Sequence, residues 1–430
     1  MLKRSKKFLP LSKFLFQELV PSLKFTFRWL FLSIVIGLVV GSASAFFLIA
    51  LDWATRYREG HRWLIGFLPL GGFFIGWMYH QFGSSVVKGN NQLLEEFYNP
   101  MQVIPLRMAP LVLGGTVLTH FFGGSAGREG TAVQMGGALA DQFTKWFKLS
   151  AQDRKIILTI GVAAGFSSVF GTPLAGAVFA LEWLIIGRLR YESILPAFFA
   201  AYLADYACAG LWNVPHTHYS IPYVPDSDII NFLWVIPAGI CYGLAGRLFA
   251  KTTHFWSALF SKVIKYPPLR PLAGGLIIAS SVYFMGTTKY IGLGIPTIVD
   301  AFSEDLPWYD FFVKLLKTSI TLGAGFKGGE VTPLFYMGST LGNALSVFIP
   351  LPLALLAGMG FVGVFSGATN TPLACTLMGM ELFGAEPGVF IGLACVIAYL
   401  FSGHGGIYSS QVIGSPKYTQ QGRKKGKKIG

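Results

Sequence analysis

The chain has 430 residues, 53% apolar, 15% aromatic and only 13% charged, with 34 Lys+Arg against 20 Asp+Glu for a net charge of +14. That charged share is about half the ~25% of a soluble domain and too little to clothe a water-facing surface. A soluble globular protein is thereby excluded, and a polytopic membrane protein remains.

In chain order, Lys3, Arg4, Lys6, Lys7 and Lys13 precede a 23-residue run without charge, Trp29 to Leu51. Such a run crosses ~30 Å of hydrocarbon. It is full length and lacks a small-residue cleavage site, so it is no cleavable signal. Further apolar segments are predicted near 63–82, 104–122, 156–186, 193–212, 230–250, 271–286, 311–324, 334–365 and 372–402. A second basic cluster, Arg423, Lys424, Lys425, Lys427 and Lys428, closes the chain. Both clusters flank hydrophobic spans, which favours positive-inside topology over nucleic-acid binding. Both termini are then cytoplasmic, in an inner (plasma) membrane, and the number of full crossings is even.

The polar, Pro-bearing stretch Trp212–Asp228 reads as a linker between two halves. His216 and His218 within it could grip a metal, but no third ligand is apparent and a solvated loop is the simpler reading. Cys208, Cys241, Cys375 and Cys395 lie in apolar surroundings without CxxC spacing, and neither a metal nor another cofactor is implied. The expected organisation is a basic cytoplasmic segment 1–25, a first membrane half 26–211, an extracytoplasmic linker 212–229, a second, inverted half 230–413 and a basic cytoplasmic tail 414–430.

The halves repeat each other. Thr172-Pro173-Leu174-Ala175 leads to Glu182 as Thr371-Pro372-Leu373-Ala374 leads to Glu381, at one offset: 372 − 173 = 199 and 381 − 182 = 199. Gly123–Gly137 faces Gly325–Gly338 at nearly the same offset. Paired repeats point to a transporter with its site at their interface near the midplane. With the second half inverted, the loop bearing Lys251, Lys262, Lys265 and Arg270 is internal, as the charge rule asks. Arg56, Arg58 and Arg62, in a loop placed outside, fit less well.

Glycines crowd where helices should begin inside the bilayer. A helix starting there presents unpaired N–H groups and the positive end of its dipole, which together make an anion site. Three such starts are read: Lys88-Gly89-Asn90-Asn91, Gly127-Arg128-Glu129-Gly130, and Gly328-Gly329-Glu330-Val331-Thr332-Pro333. Glycines for close helix packing would explain one of them, but not the polar residues in all three. A carboxylate at such depth costs at least ~2.5–3.5 kcal/mol, which makes Glu129 and Glu330 functional candidates. Charged, Glu129 can occupy an anion site itself; protonated, it must leave, and that competition couples a proton to an anion. The plainer reading of Glu129 is a capping-box residue. Thr332 offers a hydroxyl to an anion or caps its helix. Asn90 and Asn91 offer amide donors, or an ordinary turn. An enzyme is disfavoured: His80, His120 and His404 show no HExxH spacing, and no GxSxG occurs.

The GREG string with downstream VQMGG, TPLAG leading to Glu182, the Gly328–Pro333 string and the terminal Gly406-Ile407-Tyr408-Ser409-Ser410 resemble the CLC family of anion channels and proton-coupled antiporters over residues 26–412. The resemblance implies an all-α homodimer with one pore per subunit, each built of two inverted halves of tilted and re-entrant helices. Glu129 matches its gating glutamate and Tyr408 its pore tyrosine.

Several positions depart from the chloride-selective pattern. Gly89-Asn90-Asn91-Gln92-Leu93 stands where GSGIP is expected, Thr131 replaces Pro after GREG, and Glu330-Val331-Thr332 precedes Pro333. Gly292-Leu293-Gly294-Ile295-Pro296 imitates GSGIP in the wrong half and reads as a turn. The acidic pair after PLAG is Glu182-Trp183, so Trp183 replaces the internal proton-transfer glutamate. This set resembles the bacterial fluoride-exporting branch, which exchanges fluoride for protons. Fluoride is small and strongly hydrated, so its site needs several close donors; Asn90, Thr332, Tyr408 and backbone N–H groups of Gly89, Asn91, Gly127, Arg128, Gly130 and Val331 are the candidates. Glu330 is tolerable beside an anion once it carries a proton. The alternative is a chloride- or nitrate-conducting antiporter or channel.

Overall fold

The computed structural model describes residues 19–418 and 425–429. Lys3, Arg4, Lys6, Lys7, Lys13, Arg423 and Lys424 lie outside the described residues. The first half comprises α1 (Val20–Gly60), α2 (Leu68–Phe82), α3 (Asn90–Tyr98), α4 (Met108–Phe121), α5 (Glu129–Trp146), α6 (Ala151–Phe170), α7 (Pro173–Glu182) and α8 (Ile194–Asp205). The second comprises α9 (Ile229–Val263), α10 (Leu269–Met285), α11 (Ile295–Asp300), α12 (Asp310–Gly323), α13 (Val331–Leu345), α14 (Leu353–Thr369), α15 (Pro372–Phe383) and α16 (Gly388–Phe401). Two short parallel strands, β1 (Ile185–Ile186) and β2 (Val412–Ile413), tie the halves together.

Helix α1 has 41 residues and begins at Val20, inside the segment assigned to the N-terminal tail. At ~1.5 Å per residue it is about twice as long as the ~30 Å hydrocarbon layer, so it tilts or projects beyond it. Helix α1, the segment Tyr191–Leu211 that holds α8, and α9 are long and apolar enough to cross a membrane. Most of the other apolar helices have 10–17 residues and reach only part-way. Three predicted runs are in fact broken. The run 156–186 stops at Gly171, whose φ of 70° ends α6, and restarts at Pro173. The run 334–365 is interrupted by Pro350 and Pro352, and 372–402 by Gly384 and Pro387. Apolar composition alone does not register these stops, because a break shielded by protein needs no polar flank.

The two-fold relation of the halves is visible in hydrogen bonds. Glu182 accepts from the N–H groups of Leu373 (3.1 Å) and Ala374 (2.8 Å) at the start of α15. Glu381 accepts from Leu174 (2.9 Å) and Ala175 (2.8 Å) at the start of α7. Each half thus caps a broken helix of the other, which is why the TPLA…Glu string recurs. Near the centre, Gly127 and Gly329 form an antiparallel bridge, each N–H donating to the other's carbonyl at 2.6 and 2.7 Å. Behind them α5 crosses α6 at Gly136 and Gly161, and α13 crosses α14 at Gly338 and Gly360. A side-chain carbon at Gly136 would stand 2.2 Å from the Gly161 carbonyl oxygen, and one at Gly338 2.0 Å from that of Gly360. The Gly127–Gly329 bridge sets the N-termini of α5 and α13 face to face, and these close crossings pack each helix against its neighbour. Cys208, Cys375 and Cys395 are buried among apolar neighbours, while Cys241 is half-buried; all four are free thiols.

Candidate anion and proton site

The N-terminus of α5 is aimed at Gly329. A side-chain carbon there would stand 2.6 Å from the nitrogen of Gly130, 3.1 Å from that of Glu129 and 3.4 Å from that of Arg128. Only glycine leaves that cradle of amides open. Glu129 is fully buried beside it. Its Oε2 accepts from the N–H groups of Arg128 (3.1 Å) and Thr332 (3.1 Å), and its Oε1 accepts from the Thr332 hydroxyl. The Arg128 Nε lies 3.5 Å from Oε1. The carboxylate therefore sits between the two halves as a negative ligand of both helix starts.

Glu330 is the N-cap residue of α13, half-buried, and its Oε2 is buried without a hydrogen-bond partner. Asn90 opens α3 after Gly89, whose φ is 56°. It is buried, and its Oδ1 also lacks a partner. A side-chain carbon at Gly130 would lie 3.1 Å from Asn90 Nδ2 and 3.3 Å from Glu330 Oε2, so both side chains crowd the bare first turn of α5. The Glu330 oxygen, buried there without a donor, leaves a place for a proton. Val331 is buried at the first turn of α13. Tyr408 is buried and meets Trp183 edge-on at 5.4 Å. Trp183 itself is wholly buried and accepts on its carbonyl from Gln411 Nε2 at 2.7 Å.

Three candidates play framework parts. The Gly127 N–H, expected free for an anion, is spent on the Gly329 carbonyl. The Gly89 N–H closes a turn onto Val86, and its bare Cα faces the amide of Gln134, a residue overlooked in the VQMGG string. Asn91 turns its Oδ1 to the Ser410 N–H at 2.9 Å, while Ser410 Oγ donates to Glu95 at 3.1 Å. Asn91 thus fixes the loop that carries Tyr408. Thr131, where Pro is expected, shares a hydrogen bond of 2.7 Å with Thr116 of α4.

The linker is not a purely solvated loop. Thr217 and Tyr219 cover a void of about 20 Å³ beside Glu129, whose other walls include Phe335, Phe361 and Ile295. The Tyr219 ring lies 5.1 Å from Phe361 and 5.6 Å from Phe302. His216 is turned to Asp205, Nε2 to Oδ1 3.2 Å, rather than to His218. Aromatic density, plain only in space, gave the linker no functional signal in sequence. The Gly292–Pro296 string is a left-handed turn that opens α11, and so contributes Ile295 to this void. The ill-fitting Arg58 and Arg62 line a larger cavity of about 300 Å³ with Arg128 and Lys289. Arg58 is buried there and donates to the His120 carbonyl at 2.9 Å. Asp52 and Glu59 line the same cavity, so these arginines face a mixed-charge cavity beside Arg128.

Residues 71–403 match the family described as Voltage gated chloride channel. The chain belongs to that family. A "Chloride/fluoride channel protein" of Pseudomonas syringae pv. tomato is 51% identical over 414 residues, 95% of this chain and 91% of that protein. Among solved structures, a CLC-type fluoride/proton antiporter superposes with a TM-score of 0.87 at 35% identity, covering 89% of this chain and 97% of the other. A slow cyanobacterial Cl⁻/H⁺ antiporter has a TM-score of 0.77 at 22% identity, covering 87% and 94%, which speaks to fold alone. The all-α architecture is that of the voltage gated chloride channel family, whose members are ion-transporting membrane proteins.

Proposed function

We propose that this protein is a secondary active transporter that exports fluoride in exchange for protons. The observation that carries the reading is the Glu129 carboxylate seated in a cradle of helix-start amides and the Thr332 hydroxyl, beside an unpartnered oxygen of Glu330. Charged, Glu129 fills the place an anion would take. Protonated, it loses its hold on the amides and leaves, and fluoride replaces it on the same donors. Asn90, Thr332, Tyr408 and the amides of Arg128, Gly130 and Val331 then strip the ion's water. Gly89, Asn91 and Gly127 hold these donors in place. Glu330, protonated, donates to fluoride or relays the proton, with Trp183 closing the route along which an internal glutamate would have carried it. The likeness to a solved fluoride/proton antiporter supports this reading.

In this scheme the protein is a homodimer in the inner (plasma) membrane, with two inverted halves, 26–211 and 230–413. The linker 212–229 is extracytoplasmic, and segments 1–25 and 414–430 are cytoplasmic. The name of the Pseudomonas relative favours a second reading, an uncoupled channel passing chloride as well as fluoride. Purified protein in proteoliposomes separates the two. An outward fluoride gradient should drive protons inward against their own gradient, and fluoride should leave far faster than chloride. Proton movement that ignores the fluoride gradient, or equal chloride efflux, would overturn the proposal.

A further inference from the structure

Away from the pore, a second cavity of about 540 Å³ opens between α9, the Ser402–Gly406 loop after α16 and the chain's last described residues. Arg247, Lys251, His254, His404, Lys427 and Lys428 line it, and no lining residue is acidic. Arg247, Lys251 and His254 share one face of α9, at steps of four and three residues. The two C-terminal lysines are placed by main-chain pairing. The Ile413 N–H donates to Lys427 O at 3.0 Å, that of Gly426 to Ile413 O at 2.7 Å, and that of Ile429 to Gln411 O at 3.2 Å.

Gathering like charges is unfavourable even in water. Among the described residues, Lys428 has Glu95 at 3.7 Å, while Arg247, Lys251 and Lys427 have no carboxylate within ion-pair reach. The cavity is far too large for a halide but accommodates an oxyanion with substituents. A guanidinium fork with several ammonium groups is the donor set that multiply charged phosphates take.

We propose that this cavity binds a phosphate-bearing anion, either a phospholipid headgroup or a soluble phosphate compound. Its occupant is wired to the pore. Lys428 reaches Glu95, Glu95 holds Ser410, and Ser410 holds Asn91, the neighbour of Asn90. An anion that competes for Lys428 loosens this chain, and α3 with it. The effect on transport rests on the function proposed above; the binding does not.

Binding is tested on the full chain in neutral detergent by its unfolding temperature, with inorganic pyrophosphate as the soluble probe and micelles doped with phosphatidylglycerol as the lipid probe. At a hundredfold excess over the dissociation constant a specific ligand should raise that temperature by about 3 °C. The double variant R247Q/K251Q should weaken binding at least tenfold, and K427Q, at an unconnected position in the chain, should weaken it too. A shift with pyrophosphate that the variants remove assigns a soluble ligand. One with phosphatidylglycerol alone assigns the headgroup. No shift with either probe, or a shift that both variants leave intact, overturns the proposal, whatever the fluoride assay shows.

Discussion

Four carboxylates in this molecule stand at the starts of broken helices, and they fall into two unlike pairs. Glu182 and Glu381 are each saturated, both oxygens accepting backbone N–H groups of the opposite half. Glu129 and Glu330 are asymmetric: one is clasped by amides and a hydroxyl, the other keeps a buried oxygen without a donor. A carboxylate that holds two backbone N–H groups of the opposite half loses both on moving, so it acts as a fixed cap. An acid whose bonds could equally serve an anion, next to one that lacks a donor, can exchange both ligand and proton. Sequence repeats expose the first pair, and the failure of symmetry marks the second.

The largest expected effect comes from Glu129→Gln. The amide keeps the volume and removes the charge, so proton movement driven by a fluoride gradient should fall at least ~100-fold. The unfolding temperature should move little, because the residue mimics the protonated state. Coupled pumping that survives in this variant removes Glu129 from the mechanism. Next is Thr332→Val, which deletes the hydroxyl donated to Glu129 while preserving shape. Loss of one charge-assisted bond, ~1.5–3 kcal/mol, predicts roughly 10- to 100-fold weaker fluoride binding by calorimetry. Unchanged affinity would mean that the hydroxyl only caps α13.

The saturated pair should respond in the opposite sense. Glu182→Gln and Glu381→Gln each leave a helix-start N–H without its acceptor, costing about 1–3 kcal/mol of stability. Transport per folded molecule should stay near normal in both. Glu182 is buried and Glu381 is exposed, so the first should lower the unfolding temperature more. A coupling defect as deep as that of Glu129→Gln in either variant would erase the distinction between the pairs.

Much of this was legible in the sequence, and unevenly so. The broken-helix starts were marked by glycine, because only an absent side chain lets amides converge as they do on Gly329. The repeat was marked by an exact offset, though its reason, mutual capping, requires two chain segments to be seen together. Charge misled at Arg58: a count of cations by loop cannot tell a topogenic residue from one folded inward over a cavity. Asn91 misled in the same way, since its type fits an anion ligand while its partner, Ser410, lies more than three hundred residues along the chain. The linker was the least legible, for its polar composition conceals that Thr217 and Tyr219 face inward.

The linker also supplies the smallest effect worth measuring. The void it covers holds about 20 Å³, room for one water or one bare fluoride ion but not for a hydrated one. Tyr219 closes it by packing on Phe361 and Phe302, outside the Glu129 carboxylate. Tyr219→Ala removes the ring and lets water follow the ion inward, so dehydration is no longer enforced on that side. Fluoride flux should rise modestly, about two- to fivefold, with no matching rise in proton flux, while Glu129 and its donors remain in place. The ratio of fluoride to protons moved, measured in the same vesicles, is the decisive quantity. If it stays constant as flux changes, the linker merely packs against the pore and the barrier lies wholly within the two saturating helix starts.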